Sequence, residues 1–208
     1  MEIWLQQFII QLLTTELLRE AKNHVNTHFF NESVPVIVAA GRLTDEKDPD
    51  MLVKAFNKLL EQRDARLILL GEGEDRRRLE NKIENYDIIS KVSMPGFVKN
   101  PFRYMRRADV FALSSKWEGF GNVIVEAMAC GTEIVATDCG GPREILVDGK
   151  FGKLVEVGNA DAMSEAILET IRKDTSNQKL ISRAKDFHVE KIIKEYESVL
   201  VNRSNLSS

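Results

Sequence analysis

The chain has 208 residues, 43% hydrophobic and 29% charged, enough to bury one sizeable core or two small ones. Its formal net charge is -3, from 29 Lys and Arg against 32 Asp and Glu, and with no basic stripe this argues against a nucleic-acid surface. Cys130 and Cys139 lie nine apart without metal-ligand spacing, so free thiols in a reducing compartment and no metal site are expected.

The first segment, MEIWLQQFIIQLLTTELL, is apolar but interrupted by Glu2, Gln6, Gln7 and Gln11. It lacks a basic leader and falls short of the roughly 18 unbroken apolar residues of a membrane span. Leu5, Phe8, Ile9, Leu12, Leu13 and Leu17 recur at helical spacing. A helix with one sticky face is therefore expected, and self-association through residues 1–20 or docking on the domain's own surface would cover it. The helical lead-in is set at 1–33, with a boundary at HFFNES (28–33).

From residue 34 onward, short β-branched runs alternate with longer amphipathic ones. The runs 34–40, 65–70, 91–96, 108–113, 132–137 and 153–157 read as six strands, mostly continuous in apolar character, as expected when both faces of a parallel sheet are buried. Helical patterns fall at 49–62, 74–85, 101–107, 122–130 and 159–173, followed by two helical stretches ending near 200. Residues 34–200 are therefore expected to form one α/β domain. It is a doubly wound, mainly parallel, six-stranded Rossmann-like sheet with helices on both faces and helices at its C-terminal end. The tail 201–208 is expected to fray.

Ligands of such sheets bind outside the carboxyl ends of the strands. The informative loops are Gly41 to Lys47, Gly71 to Gly73, Gly96 to Lys99, Ser114 to Asn122 and Asp138 to Glu144. Glycines and cations there suit a large anionic ligand. GEGEDR (71–76) has two glycines of a dinucleotide fingerprint but lacks the third, and it places Glu72, Glu74 and Asp75 where a pyrophosphate would sit. No P-loop pattern occurs, and Gly140 and Gly141 read as turn formers or as ligand contacts. His24, His28 and His188 fall outside these loops.

Glu118 and Glu126 are eight residues apart. Even along a continuous helix at about 1.5 Å per residue that separation is some 12 Å, beyond the spacing of about 5 to 9.5 Å between glycosidase carboxyls. A hydrolytic pair is thus disfavoured. Two such carboxylates can instead hold hydroxyls at the two ends of one extended ligand. The N–H groups of a helix starting near Gly121, Asn122 and Val123 would then face its anionic middle. A sugar, a diphosphate and a ribose, in that order, match this layout.

The run 34–200 resembles the C-terminal, nucleotide-sugar-binding half of the two-Rossmann-domain (GT-B) retaining glycosyltransferases, the glycosyl transferases group 1. GRLTDEKD (41–48) resembles the phosphate-binding segment, and Glu118-GFGNVIV-Glu126 has the E-x7-E form. The resemblance implies a catalytic set of Arg42 and Lys47, neutralising the donor diphosphate, and Glu118, contacting the transferred sugar. Glu126 would bind the ribose, Phe97 and Val98 would line the base, and the peptide groups of Gly119, Phe120, Gly121, Asn122 and Val123 would hold phosphate and sugar. Ser115 and the Asn122 side chain are supporting candidates. The implied donor is a nucleotide-diphospho-sugar, UDP-linked, with no further cofactor. With no protein nucleophile evident, catalysis would rest on leaving-group stabilisation and positioning.

The resemblance also implies a second domain that holds the acceptor, and residues 1–33 are too few to form it. A separate acceptor-domain subunit, a homo-oligomer or an incomplete enzyme are the alternatives. The location implied is cytoplasmic, peripheral at a membrane if the acceptor is lipid-linked. A non-catalytic nucleotide-sugar-binding or interaction module is the alternative function.

Overall fold

The computed structural model describes residues 29–30, 34–172 and 178–187. The expected helix over 1–20, the last helical stretch towards 200, the tail 201–208 and all three histidines lie outside these residues. Six strands form, each inside a predicted run: β1 Val36–Ala40, β2 Arg66–Leu70, β3 Val92–Gly96, β4 Val110–Leu113, β5 Glu133–Thr137 and β6 Lys153–Val155. They make one sheet in the order β3-β2-β1-β4-β5-β6, and every neighbouring pair is parallel. This is the doubly wound arrangement expected from the alternating pattern.

Because side chains alternate across a strand, each apolar run feeds both faces of the sheet. Ile37, Leu67, Leu69, Val110, Ala112 and Val135 pack on one side against α1 Pro49–Leu60, α2 Arg76–Asn85 and α6 Ala160–Ile171. Val36, Val38, Ile68, Phe111, Leu113 and Ile134 pack on the other. There they meet α4 Asn122–Ala129, α5 Gly141–Leu146 and α7 Gln178–Ala184, with the short α3 Phe102–Met105 beside them. Asp48 and Asn159 accept hydrogen bonds from Met51 and Ala162 N–H, which starts α1 and α6. Pro49 at the first turn of α1 needs no N–H partner.

The irregular strands are the edges. Three steps along β3, Ser93 to Gly96, span two steps along β2, Ile68 to Leu70. This bulge contains exposed Pro95, which has no N–H to give to a ladder. β6, at the opposite edge, is three residues long.

Sequence patterning missed α5, assigning Gly140 and Gly141 to a turn or ligand contact. Gly140 does turn the chain, at φ 99°, but Gly141 opens a helix, followed by Pro142. A Cβ on Gly141 would stand 2.3 Å from the Phe120 carbonyl oxygen. Only glycine lets α5 start this close to the loop that carries Glu118.

Candidate functional site

The order of the sheet reverses between β1 and β4, whose following loops run 41–48 and 114–121. This is the switch point, where two adjacent strands send their chains to opposite faces and leave a crevice. The loop after β1 is laced to the loop after β2: Leu43 N–H donates to Glu72 O at 2.9 Å and Asp75 N–H to Leu43 O at 3.0 Å. Gly71 and Gly73 allow that approach, since a Cβ there would lie 1.9 Å and 2.2 Å from the carbonyl oxygens of Gly41 and Leu43. The glycines of GEGEDR therefore hold loop to loop. Glu72 meanwhile pairs with Arg76 at 2.7 Å.

A 3-10 turn, Asp45–Lys47, ends at Asp48 in the left-handed region, φ 43°. The turn brings Lys47 inward across the switch point. Its Nζ donates to Glu118 Oε1 at 2.8 Å and lies 3.1 Å from Glu46 Oε1. Ser115 Oγ donates to the same Glu118 oxygen at 2.9 Å. Arg42 is outermost, its side chain 69% exposed and 3.4 Å from Glu46. Desolvation pulls the Lys47 pKa down, but hydrogen bonds to Glu118 and Glu46 outweigh it and hold the ammonium above its ordinary value. The structure thus gathers Arg42, Lys47, Ser115 and Glu118 into one charged cluster with Glu46, two cations facing two carboxylates.

Beyond Glu118 the loop passes exposed Gly119, half-buried Phe120 and buried Gly121, whose φ of 91° turns the chain into α4. α4 begins at Asn122 as the sequence predicts, and no side chain caps that end. Ile124 N–H donates to Gly121 O at 2.9 Å, so the N–H groups of Asn122 and Val123 carry the exposed positive pole of the helix. Glu126 follows one turn later. Ile124, Val125, Ala127 and Met128 around it in the chain are buried. Among the described residues no donor reaches its carboxylate, and burial pushes its pKa up to about 7.

Phe97 and Val98, after β3, separate. Phe97 is 79% exposed on the strand-end edge, whereas Val98 is half-buried against the core. β3 and β4 are three strand spacings apart in the sheet, roughly 14 Å at about 4.8 Å each. Three participants were not singled out by the sequence reading: Glu46 and Ser114, which lie in loops it marked, and Thr137, which it left in a strand; Ser114 Oγ donates to Lys47 O at 2.8 Å and the Thr137 hydroxyl to Ser115 O at 2.6 Å. The sequence signal for Thr137 was a polar residue closing an apolar strand.

Both cysteines are free thiols; burial raises both pKa values, that of Cys130 to about 12. Among the described residues no cluster of His, Cys, Asp and Glu could hold a metal ion, and no helix is long and apolar enough to cross a membrane.

A parallel sheet in this order defines a doubly wound, Rossmann-like domain, and comparison with known proteins supplies its family. Residues 20–187 match the glycosyl transferases group 1 model, and the chain belongs to that family. It is 32% identical to an uncharacterized glycosyltransferase of Methanocaldococcus jannaschii, over 92% of this chain and 54% of that protein. It is 35% identical to N-acetylgalactosamine-N,N'-diacetylbacillosaminyl-diphospho-undecaprenol 4-alpha-N-acetylgalactosaminyltransferase of Campylobacter jejuni, over 76% of this chain and 44% of that one. Among solved structures, HepE of Anabaena in complex with UDP and glucose superposes with a TM-score of 0.71 at 26% identity, over 81% of this chain and 48% of that chain. The chain spans about half the length of these relatives.

Proposed function

We propose that this domain is the donor-binding half of a retaining glycosyltransferase, taking a UDP-linked hexose or N-acetylhexosamine in polysaccharide, lipopolysaccharide or glycan assembly. The observation that carries the reading is the meeting of Lys47 and Glu118 at 2.8 Å across the switch point, with Arg42 outside them and the N-terminus of α4 on the same loop. The HepE complex with UDP and glucose and the Campylobacter jejuni relative's name support this donor and acceptor chemistry. In the reaction, the bond from the anomeric carbon to the diphosphate breaks with its electron pair going to the phosphate oxygen, the acceptor hydroxyl oxygen bonds to that carbon, and the hydroxyl proton passes to the departing phosphate. Arg42, Lys47 and the helix N-terminus offset that charge. Glu118 accepts from a sugar hydroxyl, Glu126 from the ribose, and Phe97 with the Val98 backbone borders the base. The acceptor, lipid-linked at a membrane, is held by a second domain or subunit, or across a homo-oligomer formed through residues 1–20.

Calorimetry with uridine, guanosine and adenosine diphosphates tests the site, with uridine diphosphate expected to bind best. Absence of heat with all three would falsify the assignment. A non-catalytic nucleotide-sugar-binding module would bind in the same experiment, yet would produce no transfer of radiolabelled sugar when a matching acceptor domain is supplied.

A further inference from the structure

We propose that three buried hydroxyls, those of Ser114, Ser115 and Thr137, set the spacing between Lys47 and Glu118 and are positioning residues for the sugar end of the donor. The inference rests on the donor-site reading above. Ser114 is 6% exposed, Ser115 1% and Thr137 0%. A buried hydroxyl needs an acceptor, and these three direct theirs at the two sides of the charged pair. Ser114 donates to the Lys47 backbone carbonyl at 2.8 Å, and Ser115 to the Glu118 carboxylate at 2.9 Å. Thr137 donates to the Ser115 carbonyl at 2.6 Å. Ser114 and Ser115 are consecutive, so in the extended chain leaving β4 one faces the loop after β1 and the other faces its own loop. Cation and carboxylate are both referenced to the end of one central strand.

The arrangement matters most when a donor arrives. The diphosphate must draw Lys47 from Glu118, and among the described residues Ser115 is the other donor to that carboxylate. Ser115 therefore keeps Glu118 in place while Lys47 changes partner. The backbone of Glu118 is fixed separately, bridged to Gly140 and accepting from Gly141 N–H at 3.4 Å. With the main chain held, the hydroxyls control where the side chain points. Apolar isosteres would fill the same space at these positions, so packing alone does not call for hydroxyls.

The test uses the full chain with Thr137→Val, Thr137→Ser, Ser115→Ala and Glu118→Ala. Calorimetry compares UDP with UDP-glucose, UDP-galactose, UDP-N-acetylglucosamine and UDP-N-acetylgalactosamine. Ser115→Ala is expected to lower the ratio of sugar-nucleotide to UDP affinity about tenfold, as a lost hydrogen bond to a charged group does, and Thr137→Val, which loses a bond to the neutral Ser115 carbonyl, about threefold. Thr137→Ser should restore it. If Glu118→Ala lowers the ratio while Thr137→Val and Ser115→Ala leave it unchanged, the hydroxyl relay is wrong and the donor reading stands. An unchanged ratio in Glu118→Ala, or no UDP binding at all, removes the reading and the relay together. Equal weakening of UDP and sugar nucleotides by the hydroxyl variants would show general loosening and overturn the proposal. Thermal melts report whether Thr137→Val folds; if it does not, Ser115→Ala decides by the same ratio.

Discussion

Glu118 and Glu126 occupy one loop-and-helix segment, and the fold treats them in opposite ways. Glu118 lies among donors, with Lys47 Nζ at 2.8 Å and Ser115 Oγ at 2.9 Å on one oxygen. Glu126 stands in an apolar stretch of α4 with no donor among the described residues, and burial lifts its pKa to about 7. The first is held in place before any ligand arrives. The second carries a desolvation cost, and under the proposed reading ribose hydroxyls would offset it. One acid held by donors and one without donors among the described residues give the two ends of the candidate site different degrees of preorganisation.

The largest expected effect follows from Glu126. A rise from the ordinary 4.5 to about 7 corresponds to on the order of 3 kcal/mol, at about 1.4 kcal/mol per pH unit. The folded pKa lies above the unfolded one, so the folded state binds more protons between these values. Stability therefore falls as pH rises through that window. Glu126→Gln should be more stable than the parent by up to this amount at pH 8 and nearly equal to it at pH 4. Urea denaturation at the two pH values checks this; a variant less stable at pH 8 would mean that Glu126 has partners the comparison denies it. The same substitution should weaken UDP binding, a stability–function trade-off in one residue.

Glu118, the acid held by donors, should respond in the other direction. Lys47→Met leaves Glu118 with Ser115 alone and is expected to destabilise by about 2 kcal/mol, between the values for exposed and fully buried pairs. Hydrogen bonds hold the Lys47 pKa above its ordinary 10.5, so this contribution persists through neutral pH and is lost only as pH rises through the folded value. In a Glu118→Gln background the same change should cost far less. Equal costs in both backgrounds, read from denaturation midpoints, would dissolve the pair as an energetic unit.

A third, smaller effect tests what relieves Glu126. If the ribose donates to the ionised form, UDP affinity should rise about tenfold between pH 6 and pH 8, following a pKa of about 7. The phosphate of UDP also titrates near about 6. The measure is therefore the difference between the parent profile and that of Glu126→Gln. Superimposable profiles would separate Glu126 from the nucleotide.

The sequence made the sheet legible because burial on both faces demands continuous apolar runs, and all six were found, each a residue or two too long. α5 was missed because six residues are too few to show a helical period and the paired glycines read as a turn. Pro142 just inside its start was the available signal. At the candidate site, the spacing of the two glutamates pointed to Glu118 and the family resemblance to Arg42 and Lys47, which the fold gathers with Glu46 between the two cations. Which glutamate would be paired was not legible, because it depends on a left-handed Asp48 and a 3-10 turn that aim Lys47 across the switch point. Thr137 was hidden for a similar reason. On a strand it is one more β-branched residue, and only the pairing of β4 with β5 brings its hydroxyl to Ser115.

The smallest expected effect separates the two cations. Arg42 lies 3.4 Å from Glu46 with a side chain 69% exposed, whereas Lys47 is 20% exposed against a Glu118 that is 13% exposed. An exposed pair contributes little, so Arg42→Ala should change stability by less than about 0.5 kcal/mol. It should still weaken UDP binding at low salt, because a charge on the rim attracts a diphosphate through solvent. That attraction is screened once the Debye length falls from about 30 Å at 0.01 M to about 8 Å at 0.15 M. The affinity lost in Arg42→Ala should therefore shrink as salt is added, while the loss in Lys47→Met persists, since an enclosed cation is screened far less. Titrations of both variants across that range decide the matter. If the two losses respond to salt alike, Arg42 closes onto the diphosphate as tightly as Lys47, and the division into an outer and an inner cation does not survive ligand binding.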